Sequence, residues 1–190
     1  MKIKSGKLTR KITILILNEV LENGLPFDEA FIKSIKEKSP YKISDKDKAF
    51  IYLLSSSVLR YLTQIDSTIA SLLKDPIKKL AINPKMALRI GLAQIFVLET
   101  PIHAAVDTSV DAASKKWRGL VNAIMRNISR EESKYKKIFN SSPKIPKWLM
   151  ERWRENWPKD YTNFIKSIQN IHPHIDVSCI ENKKHCDNEK

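Results

Sequence analysis

The sequence predicts an all-α fold: a helical bundle in two three-helix halves, followed by a short helical extension. Three observations carry the all-α reading. Only four glycines occur in 190 residues. Apolar residues recur mostly at helical spacing. The breaks fall at Asn-Gly, Ser-Pro, Asn-Pro and Thr-Pro pairs, which stop or start helices. With 42% hydrophobic and 29% charged residues, a chain of this length can bury a core without disulfides or metals.

The first helix covers residues 7 to 23, with Ile12, Leu15, Ile16 and Val20 on one face and Asn23-Gly24 as its stop. Asp28 caps a short second helix that holds Phe31, Ile32 and Ile35 and ends at Ser39-Pro40. Ser44 opens a third, whose first turn sets Asp45 and Asp47 against the positive end of the helix dipole. Its apolar face runs Phe50, Leu53, Leu54, Ser57, Val58, Tyr61 and Leu62. Asp66 starts a fourth helix through Leu73, stopped at Asp75-Pro76.

Asn83-Pro84 reads as a cap followed by Pro at the first helical position. The stretch it opens, KMALRIGLAQIFVLET, is apolar nearly all round and is therefore the central, most buried helix. Gly91 inside it costs about 1 kcal/mol relative to Ala unless a neighbour packs closely there. Thr100-Pro101 ends it, and Val106, Val110 and Ala113 then share a face. Past a break at Trp117–Gly119, Val121, Ile124, Met125 and Ile128 repeat the pattern. Asn122 in that helix is expected to hydrogen-bond a neighbouring helix or loop end, because an unpaired buried amide costs about 1–3 kcal/mol.

From Ser129 the composition changes. REESKYKKIFN is charged and weakly amphipathic, and SSPKIP reads as a linker. PKWLMERWRENWP then brings Trp148, Trp153 and Trp157, with Leu149 and Trp153 one helical turn apart. A further helix covers about Tyr161 to Ile171, HIDVSCI reads as a short strand, and ENKKHCDNEK as a polar, disordered tail.

The formal net charge is +13, which points to a polyanionic partner, although a lysine-rich proteome gives the same total. Placement is more informative. Met1 to Lys11 holds Lys2, Lys4, Lys7, Arg10 and Lys11 without an acid, and Ala112 to Arg130 holds Lys115, Lys116, Arg118, Arg126 and Arg130 without one. Trp117 lies within the second block, placed either to stack on a base or to tuck against the bundle. The tryptophans of the extension are expected to pack it together or to dock it on another domain.

Catalytic and cofactor patterns are missing. The sequence has no glycine-rich phosphate loop and no G-x-G-x-x-G. Cys179 and Cys186 are the two cysteines, both near the end, in keeping with a reducing, cytoplasmic setting. His172, His174, Cys179, His185 and Cys186 are metal-ligand residue types, but their spacing matches no metal motif and no metal is expected. His103, just after a helix break, reads as a turn or capping residue. The basic, apolar start is interrupted by Asn18 and Glu19, and no stretch reaches the ~20 apolar residues of a membrane span, so no membrane partner is expected.

SDKDKAFIYLLSSSVLR, LRIGLAQIFVLETPIHAAVDTSVDAA and GLVNAIMR together resemble the NusB-type helical domain, most closely the version that opens the RsmB family of 16S rRNA cytosine methyltransferases. PKWLMERWRENWP resembles the helix that follows this domain in those enzymes, and HPHIDVS the opening of their next segment. The resemblance implies an RNA-binding domain over 1–138, a linker at 139–146, the start of a substrate-binding segment at 147–180 and a polar tail at 181–190. It implies rRNA, or other structured or single-stranded RNA, as partner, with ribosomal or Nus-type proteins as further partners. The implied contacts are Lys4, Lys7, Arg10 and Lys11 by position, to which the second basic block adds Lys115, Lys116, Trp117, Arg118 and Arg126. In those enzymes a C-terminal domain binds S-adenosylmethionine and two cysteines make 5-methylcytosine. Neither the cofactor glycines nor the Pro-Cys nucleophile has a counterpart here, so this chain is not expected to bind the cofactor or to methylate by itself. A NusB-like antitermination factor, an adaptor for RNA and protein, is the alternative.

Overall fold

The computed structural model describes residues 5–37 and 43–168. The chain divides into two units, residues 1–149 and 150–190. The first runs α1 (Ser5–Leu21), α2 (Phe27–Glu37), α3 (Asp45–Arg60), α4 (Leu62–Ala70), α5 (Ile82–Phe96), α6 (Ile102–Ala112), α7 (Arg118–Arg130) and α8 (Glu132–Ser141). Then come α9 (Lys147–Asn156), which crosses the division, and α10 (Tyr161–Ile168). Short 3-10 turns sit at Ile77–Lys79 and Lys115–Trp117.

Two three-helix groups build the first unit. In the first, α1 packs on α2 and α3; in the second, α5, α6 and α7 pack on one another. Helix α1 also lies against α5 and α6, which joins the groups, and α4 pairs with α8 beside α5. The cores follow this division. Ile12, Ile16, Ala30 and Ile51 form a small one between α1, α2 and α3. Leu17, Leu54, Val58, Ile65 and much of α5 to α8 form the large one. Burying an aliphatic side chain stabilises by about 1.5–3 kcal/mol, so most of the stability comes from the second.

Helix α5 is the centre, as its composition predicts: Pro84 and every residue from Met86 to Ile95 are buried. Gly91 is there because neighbours come too close for anything larger. A Cβ at this position would stand 2.6 Å from Met125 Cε and 2.8 Å from both Met125 Sδ and Ser109 Oγ. Arg89 is buried in the same helix and makes a bidentate pair with Asp66 of α4, Nε to Oδ1 at 2.8 Å and Nη2 to Oδ2 at 2.7 Å.

Several local expectations need correction. Asp66 does not start a helix. The backbone turns at Tyr61 (φ −105°, ψ 18°), α4 begins at Leu62, and Asp66 sits inside it facing Arg89. Ser44 does cap α3, its hydroxyl accepting from the Asp47 N–H at 3.2 Å. The core face of α3, however, is Ile51, Leu54, Ser55 and Val58, whereas Leu53 is half exposed. Asp28 lies inside the first turn of α2, not at its cap. Helix α5 ends at Phe96, before Thr100-Pro101, and Glu99 takes a left-handed conformation (φ 49°) while the Thr100 N–H returns to the Gln94 carbonyl at 2.8 Å. The first unit also reaches Leu149, with Ile145 buried in the stretch that reads as a linker.

In the second unit, Phe164 of α10 meets the rings of Trp153 and Trp157 edge-on, with centroids 5.7 and 5.8 Å apart. That packing agrees with the expected role of two of the three tryptophans. Trp148, in the first unit, is 63% exposed. HIDVSCI and the tail with His172, His174, Cys179, His185 and Cys186 lie outside the described residues.

Candidate functional site

The two basic blocks meet where α1 passes the junction of α6 and α7. Ala113 leaves the helical conformation after α6, and Ser114 to Trp117 make a tight turn closed by the Trp117 N–H on the Ser114 carbonyl at 2.8 Å. Helix α7 then starts at Arg118, with no acid in its first turn. Its core face, Val121, Ile124, Met125 and Ile128, is buried, so its polar face turns outward. Between this junction and α1 lies a cleft of about 340 Å³ that Lys11, Lys115 and Arg118 line together with Ile14, Leu15, Asn83 and Ala112 to Ser114. Among the described residues no carboxylate lines it.

The sequence-predicted residues divide into three groups. Lys11, Lys115 and Arg118 converge on the cleft, with Arg118 Nε donating to the Ala113 carbonyl at 3.4 Å. Lys7, Lys116, Trp117 and Arg126 lie outside its lining. The Lys7 ammonium is 4.0 Å from Asp111 Oδ1. Lys116 sits over the half-buried Trp117 ring, 5.0 Å from its centroid. Arg126 Nε donates to Asn122 Oδ1 on its own helix at 3.2 Å, so Asn122 makes a surface bond within α7 instead of the expected bond to a neighbour. Lys4 lies outside the described residues.

Arg10 forms the third group alone. Its guanidinium donates from Nε and Nη2 to Gln94 Oε1 at 2.9 and 2.6 Å and lies over the Phe50 ring, 4.4 Å from the centroid. Burial pushes its pKa below the usual arginine value, and the charge of Asp47 opposes that shift. Gln94 is fully buried and is itself held by the Ile90 carbonyl, at 3.1 Å from Nε2. Arg10 therefore ties α1 to α5.

Sequence reasoning missed Asn83. It does not cap its own helix, for which Ala81 is the cap residue. Its Oδ1 instead accepts from the Ser114 N–H at 2.8 Å and holds the α6–α7 turn from across the cleft. No local signal separates this role from capping, because the partner is a backbone group far along the chain. The turn at residues 73–80 was likewise not singled out. There Lys74, Lys79 and Leu80 line a second cleft of about 220 Å³ with Leu120 of α7, and Lys79 pairs with Asp75 at 3.0 Å.

Two interlocked helix trios, the second holding the central apolar helix α5, with a cationic cleft where they join, define an all-α two-lobed bundle domain. A model of the NusB family matches residues 7–130. The chain belongs to that family.

The ribosomal RNA small subunit methyltransferase B of Escherichia coli O17:K52:H18 is 26% identical over 171 residues, which cover 86% of this chain and 39% of that protein. The chain thus spans about two-fifths of the length of the curated relatives it matches. Among solved structures, a chain from the crystal structure of a plectonemic RNA supercoil aligns with TM-score 0.59 and 24% identity, covering 68% of this chain and 97% of its own. A chain from the complex of antitermination factors NusB and NusE with dsRNA aligns with TM-score 0.57 and 23% identity, covering 68% and 99%. These two likenesses show the same fold. No helix among the described residues is long and apolar enough to cross a membrane.

Proposed function

We propose that this chain is a cytoplasmic RNA-binding domain, with ribosomal RNA as its target, and that Lys7, Lys11, Lys115, Lys116, Trp117, Arg118 and Arg126 supply the contact surface together with Lys4. The observation that carries the reading is the convergence of Lys11, Lys115 and Arg118 on a cleft that no carboxylate among the described residues lines. Lysines there act as point charges on phosphates, while Arg118 adds a planar fork. Arg10 contributes by fixing the helix that presents Lys7 and Lys11. The curated relatives carry the name of an rRNA methyltransferase over a longer chain, and the reading assigns methyl transfer from S-adenosylmethionine to the part of those proteins outside the matched segment. Residues 147–180 are read as the start of the segment that follows the RNA-binding domain.

Filter binding of a small-subunit rRNA fragment across a salt series tests this. Each phosphate contact adds about 0.7–0.9 to the slope of log affinity against log salt, so a cleft-centred site gives a steep line. Absence of binding at about 50 mM salt sinks the proposal.

A second reading is an adaptor that joins RNA to a Nus-type or ribosomal protein. Its support is the aligned chain from the structure of NusB and NusE with dsRNA. A protein partner retained at one-to-one stoichiometry after ribonuclease treatment favours that reading; loss of every partner on ribonuclease treatment favours the first.

A further inference from the structure

We propose that the cleft between α1 and the α6–α7 turn is a pocket for a single unpaired nucleobase, so that RNA seated there is unpaired at that nucleotide. The inference rests on the RNA-binding reading above and deepens it.

The cleft is chemically divided. Ile14, Ala112 and Ala113, exposed by 8%, 4% and 2%, form an apolar floor, and Lys11 and Lys115, both exposed, stand at its edge with Arg118. A site for phosphate alone needs no apolar floor. A pocket for an apolar peptide side chain gains nothing from three cations and no acid. A nucleotide has the matching pair of surfaces, a flat weakly polar ring and an anionic phosphate attached to it. The volume of about 340 Å³ lies at the lower end of the roughly 300–1,000 Å³ of small-molecule sites, which suits one base and its sugar edge but not a duplex. Ala112 and Ala113 carry side chains short enough for a ring to lie close to the backbone.

The polar groups are matched to a base edge as well. Asn83 Oδ1 is occupied by the Ser114 N–H, which fixes the carboxamide and leaves its NH₂ as the group free to donate. Arg118 Nε is occupied by the Ala113 carbonyl, which steadies the guanidinium and leaves its terminal nitrogens to donate. The side chains therefore offer mainly donors, and the acceptors they fit are base carbonyls and phosphate oxygens. RNA sequence is read on exposed, unstacked bases. A paired base must first be taken out of its stack, so duplex RNA reaches the rim cations but not the floor.

The test is fluorescence anisotropy at low salt with an oligouridylate of about ten nucleotides and a duplex of the same length. The wild-type chain is expected to bind the single strand at least about tenfold more tightly. Ala113→Leu fills the floor, but that residue is 2% exposed, so Ser114→Leu on the exposed lining is measured beside it, with circular dichroism to verify folding. Every folded variant should lose the single-strand preference and keep its duplex affinity within about twofold. Equal affinity of the wild type for both RNAs, or a preference that survives Ser114→Leu, overturns the pocket while RNA binding stands. Displacement of the RNA by a polyglutamate of equal length as readily as by oligouridylate also overturns it, because a plain polyanion site is then enough. No binding of either RNA removes the RNA-binding reading itself.

Discussion

The N-terminal basic block and the block from Lys115 to Arg126 look alike in sequence, each a cluster of lysine and arginine free of acids. In the folded chain they are used differently. Of the N-terminal cations, Arg10 is turned inward onto Gln94 and Phe50, Lys7 lies near Asp111, and Lys11 stays exposed. In the second block Lys115, Lys116 and Arg126 are exposed and Arg118 lines the cleft. Charge counted along a chain therefore overstates the charge offered to a ligand. The difference lies in arginine chemistry: a guanidinium can converge two N–H bonds on one amide oxygen and stack on a ring, so it can be drawn partly into a core where an ammonium would lose more hydration.

The severest test of this contrast is to reverse the three cations at the cleft. Lys11→Glu, Lys115→Glu and Arg118→Glu together should reduce rRNA affinity by at least about a hundredfold, or about 2.7 kcal/mol, with the melting temperature of the protein little changed. If the melting temperature collapses, the second block is structural too and the contrast fails. Arg10→Ala should do the opposite. Among the described residues it leaves Gln94 Oε1, inside the bundle, with only the Thr108 hydroxyl at 3.4 Å, and should cost about 2 kcal/mol, read as a fall of roughly 4–8 °C in melting temperature. A milder probe is Arg10→Lys, which keeps the charge but loses the fork. About 1 kcal/mol of destabilisation is expected, and unchanged stability would mean that charge alone holds α1. The smallest effect belongs to Asp111→Asn. This pair, with Lys7 half-buried and Asp111 exposed, is long at 4.0 Å and worth under about 0.5 kcal/mol, and freeing Lys7 should raise RNA affinity slightly in a titration at low salt.

How far the sequence could be read depended on whether a residue's partner was near it in the chain. The Ser44 cap, the stop at Asn23-Gly24 and the buried α5 are legible because spacing or composition alone specifies them, whereas at Gly91 the sequence leaves open whether a neighbour packs closely. The spacing puts Leu53 in the core in place of Ile51 because a helical stripe of one sequence has a direction only once the neighbouring helices are known. The α3–α4 break at Tyr61 involves neither Gly nor Pro, so nothing local announces it, and Asp66 reads locally as a start signal although its role depends on Arg89. The site shows the same limit. Lys115 and Arg118 stood out as a local cluster, but their meeting with Lys11, the inward turn of Arg10 and the brace from Asn83 to Ser114 are all long-range facts.

Gly91 has a bearing on the binding surface although it carries no charge and lies beneath it. Its missing side chain lets Met125 of α7 and Ser109 of α6 settle against α5, and those two helices carry the turn that holds Lys115 and Arg118. Any larger residue at position 91 would meet the Met125 and Ser109 side chains at under 3 Å, so both would have to shift beneath the turn that carries Lys115 and Arg118. The packing beneath the basic turn thus depends on one hydrogen atom where other residues have a carbon.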